Sequence, residues 1–283
     1  MFDNKKIAFI GSGVMGEAMI AGILRQEFAP LSSLVAAEPR QERIVELAAQ
    51  YGIRMTTDNA EAAKGADVIV LSVKPQSLEK VFSSLCGHVD THALVLSIVA
   101  GAPISKIANG LQHDAIVRSM PNTPAQIGEG ITVWTAAAAV TEEQRQMAQR
   151  ILQALGEEVF VEDELYLDMA TALSGTGPAY VFMFMEAMVD AGVHLGFHRT
   201  ISERLVAQTV RGSVDYYLKK KNMAHLAGMR NQVTSPAGTT AAALYYLEKA
   251  GFRTAISRAI WAAYERSQEL GKDAKSQAPE PMN

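Results

Sequence analysis

The chain contains one cysteine, Cys86. An internal disulfide is therefore excluded, which fits a reducing compartment and makes a cytoplasmic protein the expectation. No apolar run reaches the roughly 18 residues of a membrane-spanning helix. Residues 1–6 lack the charged–apolar–small order of a secretion signal and lead directly into a strand-like run. No block of basic residues interrupts a net charge of −4, so neither a nucleic acid nor a membrane is expected as partner. No Ser/His/Asp or Cys/His pattern points to a hydrolase. His88/His92 and His194/His198 have metal-ligand spacing but no third ligand nearby, and no metal site is expected.

Apolar side chains are plentiful. They make up 48% of 283 residues, enough for two ordinary domains or one large one. In the first half, short apolar runs (6–11, 34–37, 68–73, 94–99, 115–120, 131–134 and 158–161) alternate with helical patterns. Several runs are apolar at successive residues, as strands buried on both faces are. The alternation predicts an α/β N-terminal domain with a doubly wound parallel sheet. Thr141 and Gln144 form a capping box that starts a helix running to Leu155. After about Glu164 the strand runs stop, and an all-α C-terminal domain follows. Its segment 178–195 is apolar almost all round, the mark of a helix buried in a larger assembly. The expected division is 1–163, 164–272, and a loose polar tail at 273–283.

Gly11-Ser-Gly-Val-Met-Gly16 follows the run Ile7-Ala-Phe-Ile10 and opens a helix. This is the context of the Rossmann-type dinucleotide fingerprint: one glycine for the tight turn, one for close approach of a pyrophosphate, one for packing of helix on strand. Glu38 lies 22 residues after Gly16, where an acidic group accepts hydrogen bonds from an adenosine ribose. Arg40 and Arg43 follow and could instead hold a 2′-phosphate, against repulsion from Glu38. The choice between NADH and NADPH stays open. Val73-Lys-Pro75, Ala100-Gly101 and Met120-Pro-Asn-Thr-Pro124 close later strands, at the strand ends where doubly wound sheets bind ligands.

A second candidate site is Thr234-Ser-Pro-Ala-Gly-Thr-Thr240, which runs into an alanine-rich helix. Free N–H groups at a helix start bind small anions, and the hydroxyls of Ser235, Thr239 and Thr240 add donors. The bland alternative is an ordinary helix cap.

Five segments, taken together, resemble the pyrroline-5-carboxylate reductase family: Gly11–Gly16, Val73-Lys-Pro75, Met120–Pro124, Leu173-Ser-Gly-Thr-Gly-Pro-Ala-Tyr180 and Val233–Thr240. The resemblance implies reduction of 1-pyrroline-5-carboxylate to L-proline with NADPH or NADH. It also implies a C-terminal dimerisation domain, with dimers assembling into a decamer or similar ring. It places cofactor contacts on Gly11, Ser12, Gly13, Val14, Met15, Gly16, Glu38, Asn59, Val73, Lys74 and Ala100, with Gln232 where one branch has Asn near the cofactor; Arg40 is a candidate from the residues themselves. Substrate contacts fall on Glu164, Ser235, Gly238, Thr239 and Thr240, with Thr240 the catalytic residue.

Val14 stands where the family commonly has Asn, and Asn231 where it has Asp. Ala237 replaces a usual Gly, a fair exchange if φ there is negative. The rival readings are a β-hydroxyacid dehydrogenase-like oxidoreductase and a non-catalytic NAD(P)-binding regulator. The first uses a helix-borne lysine that segment 178–195 lacks. The second has no need of the hydroxyl-rich loop.

Overall fold

Along Ile7-Ala-Phe-Ile10 successive side chains enter two different cores. Ile7 and Phe9 face one cluster, Ala8 and Ile10 the other, because side chains alternate across a strand. Both sheet faces must therefore be covered, and the strand is apolar throughout. The computed structural model describes Phe2, residues 5–221 and residues 223–271. The tail expected at 273–283 lies outside the described residues.

The elements run β1 (Ile7–Ile10), α1 (Val14–Arg25), β2 (Leu34–Ala37), α2 (Gln41–Tyr51), β3 (Arg54–Thr56), α3 (Asn59–Ala63) and β4 (Val68–Leu71). Next come α4 (Leu78–Leu85), β5 (Leu94–Ser97), α5 (Ile104–Leu111), β6 (Ile116–Met120), β7 (Gly130–Ala136), α6 (Glu142–Gln153) and β8 (Gly156–Phe160). The rest is helical: α7 (Leu165–Ala170), α8 (Gly177–His194), α9 (Arg199–Lys220), α10 (Leu226–Gln232), α11 (Thr239–Lys249) and α12 (Phe252–Gly271).

The strands form an eight-stranded sheet in the order β3-β2-β1-β4-β5-β6-β7-β8. β1 to β6 are parallel, with β1 flanked by β2 and β4. That is the doubly wound arrangement, with its switch point between β1 and β4. On one face Met19, Ile20 and Ile23 of α1 pack with Met147, Ala148 and Ile151 of α6. On the other, Leu78, Phe82 and Leu85 of α4 pack with Ile107 and Leu111 of α5. Each such fully buried side chain contributes about 1.5–3 kcal/mol.

The doubly wound parallel sheet is present as expected, and it departs from parallel pairing at one junction. β7 runs antiparallel to β6 and parallel to β8, so the last two strands are reversed. The link from β6 to β7 holds only a short 3₁₀ turn, Thr123–Ile127. A parallel neighbour needs a longer crossover. The capping box is present: Thr141 Oγ accepts from Gln144 N, and the Gln144 side chain accepts from Thr141 N.

The chain divides into two compact units. One holds the chain up to Thr176 together with the chain from Ala262; the other is Gly177–Trp261. The sheet unit thus takes in α7 and the end of α12. α7 passes at Thr171 into a π-helical turn, Thr171–Gly175. The Thr176 N–H donates across five residues to the Thr171 carbonyl at 2.8 Å. π-Turns of this kind recur at functional sites.

In the helical unit α8 packs on α9. A methyl group on Gly192 would meet Ser202 Oγ at 2.6 Å, so the two helices approach closely at this glycine. Val189 is buried, yet Phe182, Met183, Leu195, Tyr246 and Trp261 are exposed. α8 was expected to be buried in an assembly; a single chain leaves most of it uncovered.

Candidate dinucleotide and carboxylate sites

The turn after β1 is shaped by its three glycines, each in a different way. Gly11 has φ +91°, and a side chain there would strike Val73 Cγ1 and the Ser72 carbonyl, at 2.7 and 2.8 Å. Gly16 lies under the turn: its side chain would come within 2.7 Å of the Gly11 carbonyl and 2.8 Å of Ser72 Oγ. Gly13, the N-cap of α1, has no atom within 4 Å of where a Cβ would stand. The first two positions are closed by protein; the third opens outward.

The N–H groups of Val14, Met15 and Gly16, in the first turn of α1, have no intrahelical acceptor. The ladder begins with Glu17 N donating to the Gly13 carbonyl at 2.9 Å. The Ser12 hydroxyl is buried without a hydrogen-bond partner. An open glycine, unpaired N–H groups and an orphaned hydroxyl fit a pyrophosphate at a helix N-terminus. Ser72, which the sequence reading passed over, ties the turn down by donating Oγ–H to the Gly11 carbonyl at 2.5 Å.

Glu38 follows β2 and is only 4% exposed. Its Oε2 accepts from Ser12 N at 3.2 Å, and its Oε1 from Arg40 Nε at 2.6 Å and Arg40 N at 3.4 Å. Burial opposes its ionisation. The Arg40 side-chain bond, the Ser12 N–H and the Arg40 charge outweigh it and hold the carboxyl below the usual value.

Arg43 is withdrawn from this end. Its Nε donates to the Ser12 carbonyl at 3.3 Å, one Nη bonds Glu17, and the other lies 2.7 Å from Glu46. The reading of Arg43 as a 2′-phosphate ligand is therefore corrected: its guanidinium joins α1 to α2. Glu17 also accepts from Tyr51 Oη at 2.8 Å. Burial first, and this bond second, push the Tyr51 phenol up to about 12.

The other expected cofactor residues of the sheet unit follow strand ends. Val73 packs on Gly11, and Lys74 is exposed. Asn59 opens α3 and donates Nδ2–H to Ser84 Oγ at 2.9 Å. Ala100 precedes Gly101, whose φ is +66° and whose Cα faces Leu270 so closely that a Cβ would lie 2.8 Å from Leu270 Cβ. Asn122, in the loop after β6, accepts from Ile131 N at 3.0 Å and donates to the Ser174 carbonyl at 3.2 Å. It holds that loop against the π-turn.

Glu164 is engaged by protein. Its Oε1 accepts from Ile104 N at 2.8 Å and from Arg118 at 2.9 Å. Arg118 also donates to Asp168 at 2.9 Å, and Asp168 accepts from Ser267 Oγ at 3.0 Å. The sequence reading missed Arg118. Its signal was a lone cation inside the apolar strand Ile116-Val-Arg-Ser-Met120, which demands a buried partner.

Gln232, Ser235, Gly238, Thr239 and Thr240 belong to the helical unit. Gln232 ends α10 and is exposed. The other four form one turn, closed by Gly238 N donating to the Ser235 carbonyl at 3.1 Å. The N-cap of α11 is Gly238, which has no side chain to cap the helix. The Thr239 and Thr240 N–H groups therefore stay outside the helical ladder, which starts with Ala242 N donating to the Gly238 carbonyl. That geometry suits a carboxylate.

Ala237 overturns one expectation. Its φ is +58°, in the left-handed region, where a glycine would sit without strain.

The comparisons with known proteins agree with this layout. The family model described as pyrroline-5-carboxylate reductase dimerisation matches residues 164–270. That described as NADP oxidoreductase, coenzyme F420-dependent, matches residues 6–101. The pyrroline-5-carboxylate reductase of Synechocystis is 42% identical, over 94% of this chain and 98% of its own length. That of Pseudomonas aeruginosa is 39% identical, over 94% and 97%. The crystal structure of Plasmodium falciparum pyrroline carboxylate reductase with NADP bound superposes with a TM-score of 0.88 at 32% identity, covering 96% of this chain and all of that one. With relatives this similar along nearly its whole length, the chain belongs to the pyrroline-5-carboxylate reductase family.

Proposed function

We propose that the protein reduces 1-pyrroline-5-carboxylate to L-proline, with hydride from NADPH or NADH. The observation that carries this reading is the glycine turn at the β1/β4 switch point, with its open Gly13, in a chain whose close relatives carry this name. The nicotinamide supplies hydride to C5 of the imine, the redox chemistry being the cofactor's own.

The chain's residues bind and orient. Gly11, Ser12, Gly13, Val14, Met15 and Gly16 hold the pyrophosphate. Glu38, Arg40 and Asn59 serve the adenosine side, and Val73, Lys74, Ala100 and Gln232 complete the cofactor contacts. Ser235 and the N–H groups of Gly238, Thr239 and Thr240 hold the substrate carboxylate. The Thr240 hydroxyl hydrogen-bonds the ring nitrogen, where the proton is gained. Glu164, whose carboxylate accepts from the Ile104 N–H and from Arg118, serves the substrate side. Orientation of two bound reactants is worth several kcal/mol of barrier.

The reach of the dimerisation family model, residues 164–270, supports a family-level division at 1–163 and 164–272, although the compact helical unit is the smaller Gly177–Trp261. The exposed apolar side chains of α8 and α12 support a homodimer, and dimers then assemble into a decamer or similar ring. Among the described residues no helix is long and apolar enough to cross a membrane; the single cysteine supports a cytoplasmic protein. The test is oxidation of NADPH and NADH with pyrroline-5-carboxylate, with proline identified as product, against a panel of hydroxy acids. Turnover confined to the hydroxy acids refutes the reading.

A further inference from the structure

The family reading leaves the two nicotinamide cofactors equal, but the residues after β2 treat them differently. NADH and NADPH differ at one place, the 2′ position of the adenosine ribose. A hydroxyl there wants an acceptor; a phosphate wants cations and donors. The group at that end of the site is the Glu38 carboxylate.

Three features make it an acceptor that cannot step aside. Its side chain is 5% exposed. The Ser12 N–H, part of the glycine turn itself, fixes one oxygen. Arg40 fixes the other through both its main-chain N–H and its Nε. Each carboxylate oxygen can accept two hydrogen bonds, so Oε2 keeps a lone pair after Ser12 is served.

The two nearby cations do not offset this. Arg43 is spent on the Ser12 carbonyl, Glu17 and Glu46. Arg40 has an exposed side chain whose Nε is committed to Glu38, so any phosphate it met would lie beside that carboxylate. A phosphate dianion at this end is therefore set against a buried carboxylate, a like-charge arrangement that burial penalises.

We propose that Glu38, with Arg43 withdrawn into the α1–α2 contacts, makes this enzyme select NADH over NADPH. The proposal rests on the reductase reading above but can fail separately from it.

The test is calorimetric titration of the full chain with each cofactor, beside kcat/KM for each. Wild type is expected to bind NADH at least about tenfold more tightly than NADPH, a gap of ~1.4 kcal/mol. Glu38→Ser removes the acceptor and the charge together, and is expected to weaken NADH and strengthen NADPH until the ratio is near one or inverted. Glu38→Gln keeps the side-chain shape, guards against misfolding of the serine variant, and is expected to shift the ratio in the same direction. Arg40→Ala frees Glu38 of its partner and is expected to weaken both cofactors alike.

Equal or tighter NADPH binding by wild type overturns the proposal. So does selective collapse of NADPH binding in Arg40→Ala, which would make Arg40 the phosphate ligand. If neither cofactor binds wild type, the cofactor site of the reductase reading fails. If both bind but pyrroline-5-carboxylate is not reduced, the reductase reading fails and the selectivity proposal stands on its titrations.

Discussion

A methyl group on Gly238 would lie 2.4 Å from the Ser235 hydroxyl oxygen and 3.1 Å from the Ser235 carbonyl. The hydroxyl occupies the space that the missing side chain leaves. Gly238→Ala therefore displaces the Ser235 side chain, which can rotate away without unfolding the turn. The expected result is a fall in kcat/KM for the imine of roughly tenfold or more, since a hydrogen bond to a charged ligand contributes about 1.5–3 kcal/mol. Unchanged kinetics in this variant would remove Ser235 from the carboxylate site.

Thr240→Ala deletes the hydroxyl assigned to the ring nitrogen and leaves the α11 N–H groups in place. By the same scale of about 1.5–3 kcal/mol, kcat/KM should drop by ~10–150-fold while cofactor affinity holds. Steady-state kinetics with saturating cofactor decide it. Wild-type turnover would end the assignment.

Gly13 and Gly16 should part company when each is changed to valine. A side chain at Gly13 meets no protein atom, so Gly13→Val should melt as wild type does and yet lose cofactor binding. A side chain at Gly16 meets the Gly11 carbonyl and Ser72 Oγ, so Gly16→Val should destabilise the fold by ~1–3 kcal/mol. Thermal melts paired with cofactor titration separate the two outcomes. Retained affinity in Gly13→Val would refute the pyrophosphate placement.

Ala237 holds a left-handed φ of +58° that costs an L-residue about 1–2 kcal/mol. Glycine removes that strain but adds about 0.4–1 kcal/mol of unfolded-chain entropy. Ala237→Gly should therefore stabilise the chain by roughly 0.5–1 kcal/mol, a rise in Tm of about 2 °C. A lower Tm in calorimetry contradicts the strain.

Tyr51 gives an alkaline signature. Its phenol is raised to about 12 in the fold, against about 10 in an unfolded chain. The fold thus prefers the neutral phenol. This contribution is fully present below pH 10 and is lost as the pH rises towards 12. Ultraviolet titration should show a late-ionising component that is missing in Tyr51→Phe. The variant's stability should depend less steeply on pH across that window.

Much of this molecule is legible from its residues, for definite physical reasons. β1, β2, β4 and β5 announce themselves because both faces are buried, which forces unbroken apolar runs such as Val68-Ile-Val-Leu71. The capping box at Thr141 is a local hydrogen-bond pattern and can be read locally. β3, Arg54-Met-Thr56, escapes notice because it is short and partly exposed at the sheet edge. The reversal of β7 depends on the path of a loop, not on side-chain periodicity. Of the candidate sites, the glycine turn and the Ser235–Thr240 turn follow from residue type and order. The withdrawal of Arg43 and the Glu164–Arg118–Asp168 chain do not, since they pair residues up to 50 positions apart.

α12 carries a consequence for how the protein is made. Leu270 and Gly271 press on Gly101, beside Ala100 at the end of β5, and Ser267 completes the buried chain through Asp168 to Arg118. These contacts cannot form while the ribosome has yet to add residues 262–271. The last strand of the sheet ends at Phe160, but the packing around the loop after β5 waits for more than a hundred further residues. A nascent chain at that stage has its strands but not the finished loop, and native packing at this strand end should arrive late in translation rather than with the strands.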